Sequence, residues 1–325
     1  MSGLPRRVAR ALYYRVRPRV AAVTRWLWLP NFALQPRVTC TDCFVTCTGK
    51  TDGPLAQIQA VISTILFARA AGIAYVHTPL RVVEHAEGQD DWARRWEEFF
   101  SFGNGEMSLA DLSPGLRQVR VEYPQRILKR RKTLYVIPHS HDFADRYPQL
   151  YEGLLPELRQ RYFVAAKDVP LHRQPGLLNI AVHLRRGDVS PDVPHFAPRF
   201  TSNRKVAHTV RSVSDLLDRL GVDYRVRIYS QGQPENFGEL TALGELHLDE
   251  CPFATFHNLV MSDVLVMAKS SFSHVAALLS PRGLRLYEPF WHRPQRDWVV
   301  LDESGGFPQQ RLERALQDLC GDLSR

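Results

Sequence analysis

The stretch from residue 37 to residue 79 most limits what this chain can fold into. "RVTCTDCFVTC" alternates like a strand, "TGKTDGP" is a glycine-bearing turn, "LAQIQAVISTILFARAAG" has helical spacing, and "IAYVHTP" is a second strand. Leu55, Ile58, Ile62, Ile65 and Leu66 recur at helical intervals. Pro54 suits the first turn, where its missing N–H costs nothing, and Gly72 suits the stop. Strand, glycine turn, helix and strand together open a parallel α/β domain.

The alternation resumes further on. "RQVRVEYP" and "KTLYVIPH" read as strands, and "YPQLYEGLLPELRQRYFVA" as mostly helical. Val169 to Gly176, with two prolines and few apolar residues, reads as a linker. Beyond it, "LLNIAVHLRR" is a strand, "RSVSDLLDRLGV" an amphipathic helix, and "YRVRIYSQG" and "LGELHLD" two strands. "FATFHNLVMS" is helical, "DVLVMAK" a strand and "SSFSHVAALLS" a helix. The expected organisation is α/β: a basic arm over 1–35 and two Rossmann-like domains over 36–170 and 171–325, facing across a cleft. Strand C-termini and helix N-termini line such a cleft.

The net charge of +8 suggests nucleic acid or membrane until it is located. Residues 1–41 hold eight arginines and no acidic residue, leaving 34 residues of each sign in the rest. The body is therefore no nucleic-acid platform. The arm, "LPRRVARALYYRVRPRVAAVTRWLWLP", lacks the ~20 uncharged residues of a membrane span and has no secretory h-region. Arginines interleaved with apolar residues, with Trp26 and Trp28, suit residues 1–30 lying on an anionic membrane surface. An organelle transit peptide or a solvated tail fits the same composition. Five cysteines is an odd number. Cys40, Cys43 and Cys47, with Cys251 remote, offer three or four thiolates, but the second pair of a zinc site is missing and "CFVTC" alternates like a strand. Ordinary buried thiols in a reducing, cytoplasmic compartment fit better, with no metal.

Chemistry gathers at three strand ends. In "NIAVHLRRGDVSP", His183 lies in the strand and Arg185 and Arg186 at its C-terminal end, followed by Gly187 and Asp188. Arginine there can make paired hydrogen bonds to phosphate or carboxylate oxygens, and glycine lets the backbone turn tightly beside a ligand. The Arg-Gly-Asp tripeptide begins where a core strand ends, not at the exposed tip an adhesion loop needs. In "AKSSFSHVAALL", Ser270, Ser271 and Ser273 sit at a strand-to-helix junction, where hydroxyls cap the helix and free N–H groups bind an oxyanion. In "TGKTDGPLAQ", Gly49-Lys50-Thr51 mimics the end of a phosphate loop, but Phe44 stands where that motif's first glycine belongs. The turn, with Gly53 and Gln57, can still line the cleft. No two aspartates are separated by one residue, the usual metal clamp of manganese-dependent sugar-nucleotide transferases. If the chain handles a diphosphate, fixed cations, Arg185 first, must do what a divalent cation would otherwise do.

"IAVHLRRGD" resembles the His-x-Arg-Arg-Gly-Asp motif of the GDP-fucose-dependent fucosyltransferases, the superfamily of α1,2-, α1,6- and protein O-fucosyltransferases. "MSDVLVMAKSSFSHVAALLS" is similar to the Asn-Ser-Ser-Phe-Ser segment of the α1,2 branch, with "VRIYSQG" spaced between the two as in that family. The resemblance covers residues 179–280 and is only topological over 37–170. It implies a GT-B fold, no metal or other cofactor, and inverting transfer of fucose from GDP-fucose to a glycan acceptor. It implies that Arg185 grips the diphosphate, that Arg186 braces the loop or touches phosphate, and that His183 orients the donor. Gly187, Asp188, Ser230, Ser270, Ser271, Phe272 and Ser273 would complete the donor site. The sequence departs from the family in three places. "KTDGPLAQIQ" replaces the "GGLGNQLFQ" turn, His274-Val275 the tryptophan pair, and Gln231-Gly232 the acidic pair.

An inverting transfer needs a base for the acceptor hydroxyl. Asp192, in "SPDVPHF", stands where the α1,6 branch has its catalytic carboxylate; Asp188 is expected to hold an arginine. His195, Arg199 and the Gly53–Gln57 turn are the acceptor-side candidates. Two other readings stay open: a GT-B transferase using another sugar nucleotide such as GDP-mannose, and a non-catalytic nucleotide- or glycan-binding protein tethered by its arm.

Overall fold

Two all-parallel sheets stand in sequence along the chain. The computed structural model describes residues 42–323 except 85–87, 89, 123–126, 128 and 195, with side chains as far as residue 319. The basic arm and Cys40 therefore lie outside the described residues. The first sheet contains β1 (Cys43–Thr46), β2 (Ala74–His77), β3 (Met107–Ser108), β4 (Arg117–Arg120) and β5 (Thr133–Val136), ordered β3-β2-β1-β5-β4. The second contains β6 (Leu178–His183), β7 (Tyr224–Ser230), β8 (Glu245–Leu248), β9 (Val264–Val266), β10 (Leu284–Tyr287) and β11 (Val299–Val300), ordered β11-β10-β9-β6-β7-β8. The second sheet starts in its middle and winds outwards both ways; in the first, β2 and β3 wind outwards from β1, β4 takes the far edge and β5 fills the place between, and the two Rossmann-like sheets together have the GT-B arrangement. The winding reverses between β1 and β5 in the first sheet and between β6 and β9 in the second. Outside the strand C-termini at such a reversal is where ligands bind in open α/β sheets.

Helix α1 (Pro54–Ala71) starts on Pro54 and stops at Gly72, whose φ of 62° is the left-handed conformation open to glycine. It is long and apolar enough to cross a membrane by composition, yet 14 of its 18 residues are buried within the protein. The first domain adds α2 (Trp92–Phe100), α3 (His141–Arg146) and α4 (Tyr151–Val164). The second adds α5 (Asn203–Leu220), α6 (Pro252–Val260), α7 (Ser271–Leu279) and α8 (Gln309–Leu323). Ser202 caps α5 by accepting from Lys205 N, which starts that helix eight residues before the amphipathic pattern read in the sequence.

Part of the expected cleft is filled. One apolar core runs through both domains, from Cys43 and Ile62 to Phe256 and Leu278. Phe253 of α6 packs its ring 4.2 Å from Trp96 and 5.1 Å from Phe99 of α2. Arg159 Nε donates to Leu278 O at 3.1 Å, and Tyr162 OH bonds His257 Nδ1 at 2.9 Å. The domains therefore meet along a packed aromatic seam, and polar groups gather where the C-terminal edges of the sheets face each other.

Candidate functional site

Extended apolar β6 delivers its last residues to the edge beside β9. Arg185 Nη2 and Nε donate to the two carboxylate oxygens of Asp188 at 2.6 and 3.2 Å, a bidentate pair that aims the guanidinium. Its Nη1 reaches Ser270 Oγ at 3.4 Å, joining the two motifs across the reversal point. Gly187 has φ of 71°, and a Cβ there would stand 2.7 Å from Gln231 Oε1, so the turn needs glycine. Arg186 faces elsewhere. It donates to Arg185 O, Thr201 O and Asn203 Oδ1 at 2.9, 2.9 and 2.7 Å and lies 4.5 Å over the Phe200 ring. Burial pushes its guanidinium down to about 10. Arg186 is a brace for the loop between β6 and α5.

His183 is held neutral: burial, with Arg185 adding, pushes it down to about 3. Its buried Nδ1 has no hydrogen-bond partner among the described residues, and its ring lies 5.2 Å from Phe272. Ser270 caps α7 by accepting from Phe272 N at 3.1 Å. Ser273 is fully buried and exchanges hydrogen bonds with Ala268 N and O, a structural duty. Phe272 is partly buried and packs edge-on against Phe256 of the core, 5.3 Å away. Ser230 Oγ donates to Leu184 O at 2.9 Å, tying β7 to the arginine loop. Beside it, Gly232 N donates to Asp249 at 3.1 Å, so a carboxylate from the end of β8 stands where Gln231-Gly232 supplies none.

Four further groups at this edge were not singled out in the sequence. Glu288, after β10 and 2% exposed, binds Lys205 Nζ at 2.8 Å and Lys269 Nζ at 3.5 Å. Arg185, Lys205 and Lys269 thus stand at one edge, each held by a carboxylate, Asp188 for the arginine and Glu288 for the two lysines. Trp291 is half-exposed, stacks on Phe290 at 3.6 Å and carries Arg199 4.8 Å over its ring. The signal was "YEPFWHRP": acid, aromatics and histidine directly after a short apolar run.

The first domain brings its own edge. Lys50, in the turn after β1, binds Asp52 at 3.0 Å with its side chain 7% exposed. Ser140 Oγ donates to Ala60 O at 2.6 Å, and Ser63 Oγ accepts from Ala144 N at 3.0 Å, so α3 is fastened to α1. From α3, Asp145 reaches across the domains: Oδ1 accepts from Arg293 N at 3.1 Å, and Oδ2 lies 3.3 Å from His292 Nδ1. The other ring nitrogen of His292 lies 3.2 Å from Ser271 Oγ. His274, 4.6 Å from the His292 ring, bonds Gln59 at 3.3 Å. Burial pushes His292 down to about 4, with Lys50 adding, and His274 down to about 3, with His292 adding. Burial lifts Asp145 to about 6.

Asp192 is exposed in a turn, where its N–H and carboxylate bond Ser190 Oγ at 3.2 and 3.3 Å. Gln57 is used inside the first domain, donating to Asp52 O and Val82 O at 2.7 and 2.8 Å. The Gly53 carbonyl accepts from Ala56 N and Gln57 N as α1 begins. His195 lies outside the described residues. Cys43 and Cys47 are buried, and burial pushes Cys47 up to about 11; Cys251 is exposed. Among the described residues, His172, His247 and Glu250 are spaced as a metal-ligand set, apart from the arginine loop. Their groups bond one another: His247 Nδ1 meets Glu250 Oε1 at 2.7 Å, and the two histidine rings stack at 4.3 Å. A depression of about 430 Å³ bounded by Tyr224 and Gly244 opens at the opposite, N-terminal edge of the sheet, away from these charges.

No protein-family model matches the sequence, and no curated protein matches it. Among solved structures, the chain is similar to NodZ α1,6-fucosyltransferase co-crystallised with GDP, at TM-score 0.44 and 11% identity, covering 82% of this chain and 97% of that one. It is similar to the E. coli heptosyltransferase WaaC with ADP-2-deoxy-2-fluoro heptose, at TM-score 0.41 and 13% identity, covering 86% and 99%. POFUT1 in complex with GDP overlaps at TM-score 0.35 and 10% identity, covering 76% and 98%. Overlaps this loose carry over neither donor nor mechanism.

Proposed function

We propose that this protein is a metal-independent inverting glycosyltransferase that takes fucose from GDP-fucose and passes it to a glycan acceptor. The observation that carries the reading is the junction of "HLRRGD" with "AKSSFS", where Arg185 reaches Ser270 beside the N-terminus of α7. Asp188 pre-orients Arg185, so the guanidinium need not reorganise as negative charge grows on the departing diphosphate. Lys205 and Lys269 add positive charge at the same edge, with Glu288 keeping them in place. His183 Nδ1, buried and without a partner among the described residues, takes a donor oxygen. Trp291, half-exposed beside Arg199, offers an apolar face for a sugar ring of the acceptor. The arm of residues 1–30, rich in arginine and free of acid, holds the cytoplasmic enzyme against an anionic membrane surface.

A panel of nucleotides and nucleotide sugars, tested by thermal shift in EDTA, checks this reading. GDP and GDP-fucose should raise the melting temperature, by roughly 4 °C at a hundred times Kd for a chain of this size. A panel in which GDP-fucose neither binds nor competes overturns the donor assignment. The replacement of the family's acidic pair by Gln231-Gly232 favours one second reading, a different GDP-sugar. A larger shift with GDP-mannose would establish that alternative.

A further inference from the structure

We propose that Asp145, His292 and Ser271 form the proton relay of the transfer, with His292 as general base and Ser271 as the hydroxyl that meets the acceptor. The proposal rests on the glycosyl-transfer reading above and assigns the base that reading lacks. His292 is 4% exposed and both ring nitrogens are engaged, Nδ1 by Asp145 at 3.3 Å and Nε2 by Ser271 at 3.2 Å. The carboxylate is fixed by Arg293 N and by the fastening of α3 to α1. The imidazole is fixed as well: its backbone carbonyl accepts from Tyr287 OH, which itself accepts from Phe290 N at 3.0 Å. Burying an acid and an imidazole together is costly and adds nothing to apolar packing. Its outlet decides the matter: Ser271 is partly exposed and directly follows Ser270, whose Oγ meets Arg185. The relay thus opens one residue away from the proposed diphosphate clamp, beside which the anomeric carbon must lie. Asp192, by contrast, is exposed and bonded to its own turn.

The proton balance closes. As the acceptor oxygen bonds the anomeric carbon, its O–H proton passes to Ser271 Oγ and the Ser271 proton passes to His292 Nε2. The imidazolium is stabilised by Asp145 through Nδ1–H. The bond from the anomeric carbon to the diphosphate breaks, and its electron pair leaves with the diphosphate, held by Arg185. His292 then returns its proton to solvent through Ser271. Asp145 belongs to the first domain and His292 and Ser271 to the second, so the base is assembled only while the domains are apposed.

The groups facing the pair are Asp142 and His141 of α3, Tyr151 of α4, Lys50 from the turn after β1, His274 of α7, Tyr287 of β10 and neighbouring Arg293. With His292 pushed down to about 4 and Asp145 lifted to about 6, the pair titrates between those limits. The rate should hold above that window and fall as pH drops through it.

The test measures donor affinity and turnover separately on full-length protein, using GDP-fucose and GDP release. His292→Gln should lower kcat about 10²–10⁴-fold with the acid limb lost, while donor Kd stays within about threefold. Imidazole added to His292→Ala should restore rate. Ser271→Ala, at a partly exposed helix end, leaves the buried pair intact and should lower kcat about tenfold or more while keeping the acid limb. Wild-type kcat in either His292→Gln or Ser271→Ala overturns the relay. So does an acid limb that vanishes in Asp192→Asn and persists in His292→Gln. A wild-type protein that binds no sugar nucleotide is a different failure, one that removes the glycosyl-transfer reading itself and the relay with it.

Discussion

Arg186→Ala should cost the fold about 2–3 kcal/mol, whereas Arg185→Ala should cost it under about 1 kcal/mol and remove donor affinity instead. Arg186 makes three hydrogen bonds of 2.7–2.9 Å and lies over Phe200. Truncation strands the acceptors Arg185 O, Thr201 O and Asn203 Oδ1, at roughly 1 kcal/mol each, and loses about 0.5 kcal/mol of stacking. Relief from holding a desolvated cation returns a fraction of that sum, since burial already pushes Arg186 down to about 10. Arg185 is about a quarter exposed and pairs with an equally accessible Asp188, so water replaces much of what is lost. Urea unfolding followed by tryptophan fluorescence measures the first effect, and calorimetric titration with GDP the second. For a chain of this size, Arg186→Ala should lower the melting temperature by roughly 3–4 °C. Equal stability losses in both variants, with GDP affinity unchanged in Arg185→Ala, would refute the division of labour.

Phe253→Ala should cost about 3–5 kcal/mol, because it empties the middle of the interdomain seam between Trp96 and Phe99; protease resistance and unfolding midpoints report it, and a neutral variant would mean the seam is not packed as described. Gly187→Ala should cost about 1–2 kcal/mol through its left-handed backbone and push Gln231 aside, lowering donor affinity in the same thermal-shift assay. Acid should loosen the protein. His141, His274 and His292 are pushed down by burial to about 4, 3 and 4, so the unfolded chain takes up their protons first. Their contribution is complete above pH ~6.5 and lost as pH falls towards 4; Asp145, lifted to about 6, opposes it with the opposite sign but is outnumbered. Urea midpoints measured from pH 7 to pH 4 should therefore fall, and a flat or rising series would contradict the buried neutral histidines.

Local pattern made α1 legible, since Pro54, Gly72 and the apolar spacing between them agree. It also made β6 legible, because an apolar run ending in Arg185 and Arg186 marks a strand end in an alternating α/β chain. What could not be read was contact between distant segments. Asp145 and His292 lie 147 residues apart, and Gln59 and His274 lie 215 apart, so no local period announces either pair. Helix α3 has only six residues in a polar stretch, too short for periodicity to show. The same blindness split the arginine pair only in part: the sequence placed both at the edge, but Asn203 and Phe200, which claim Arg186, come from the next helix and its approach.

The account stands most directly on Arg185 and its place at the reversal between β6 and β9. Calorimetric titration of GDP into wild-type protein and Arg185→Ala, both in EDTA, tests it. The account predicts binding to the wild type without metal, weakened about 10–150-fold in the variant, the loss of one charged clamp worth about 1.5–3 kcal/mol. Equal GDP affinity in the two proteins, or binding that requires a divalent cation, would contradict it.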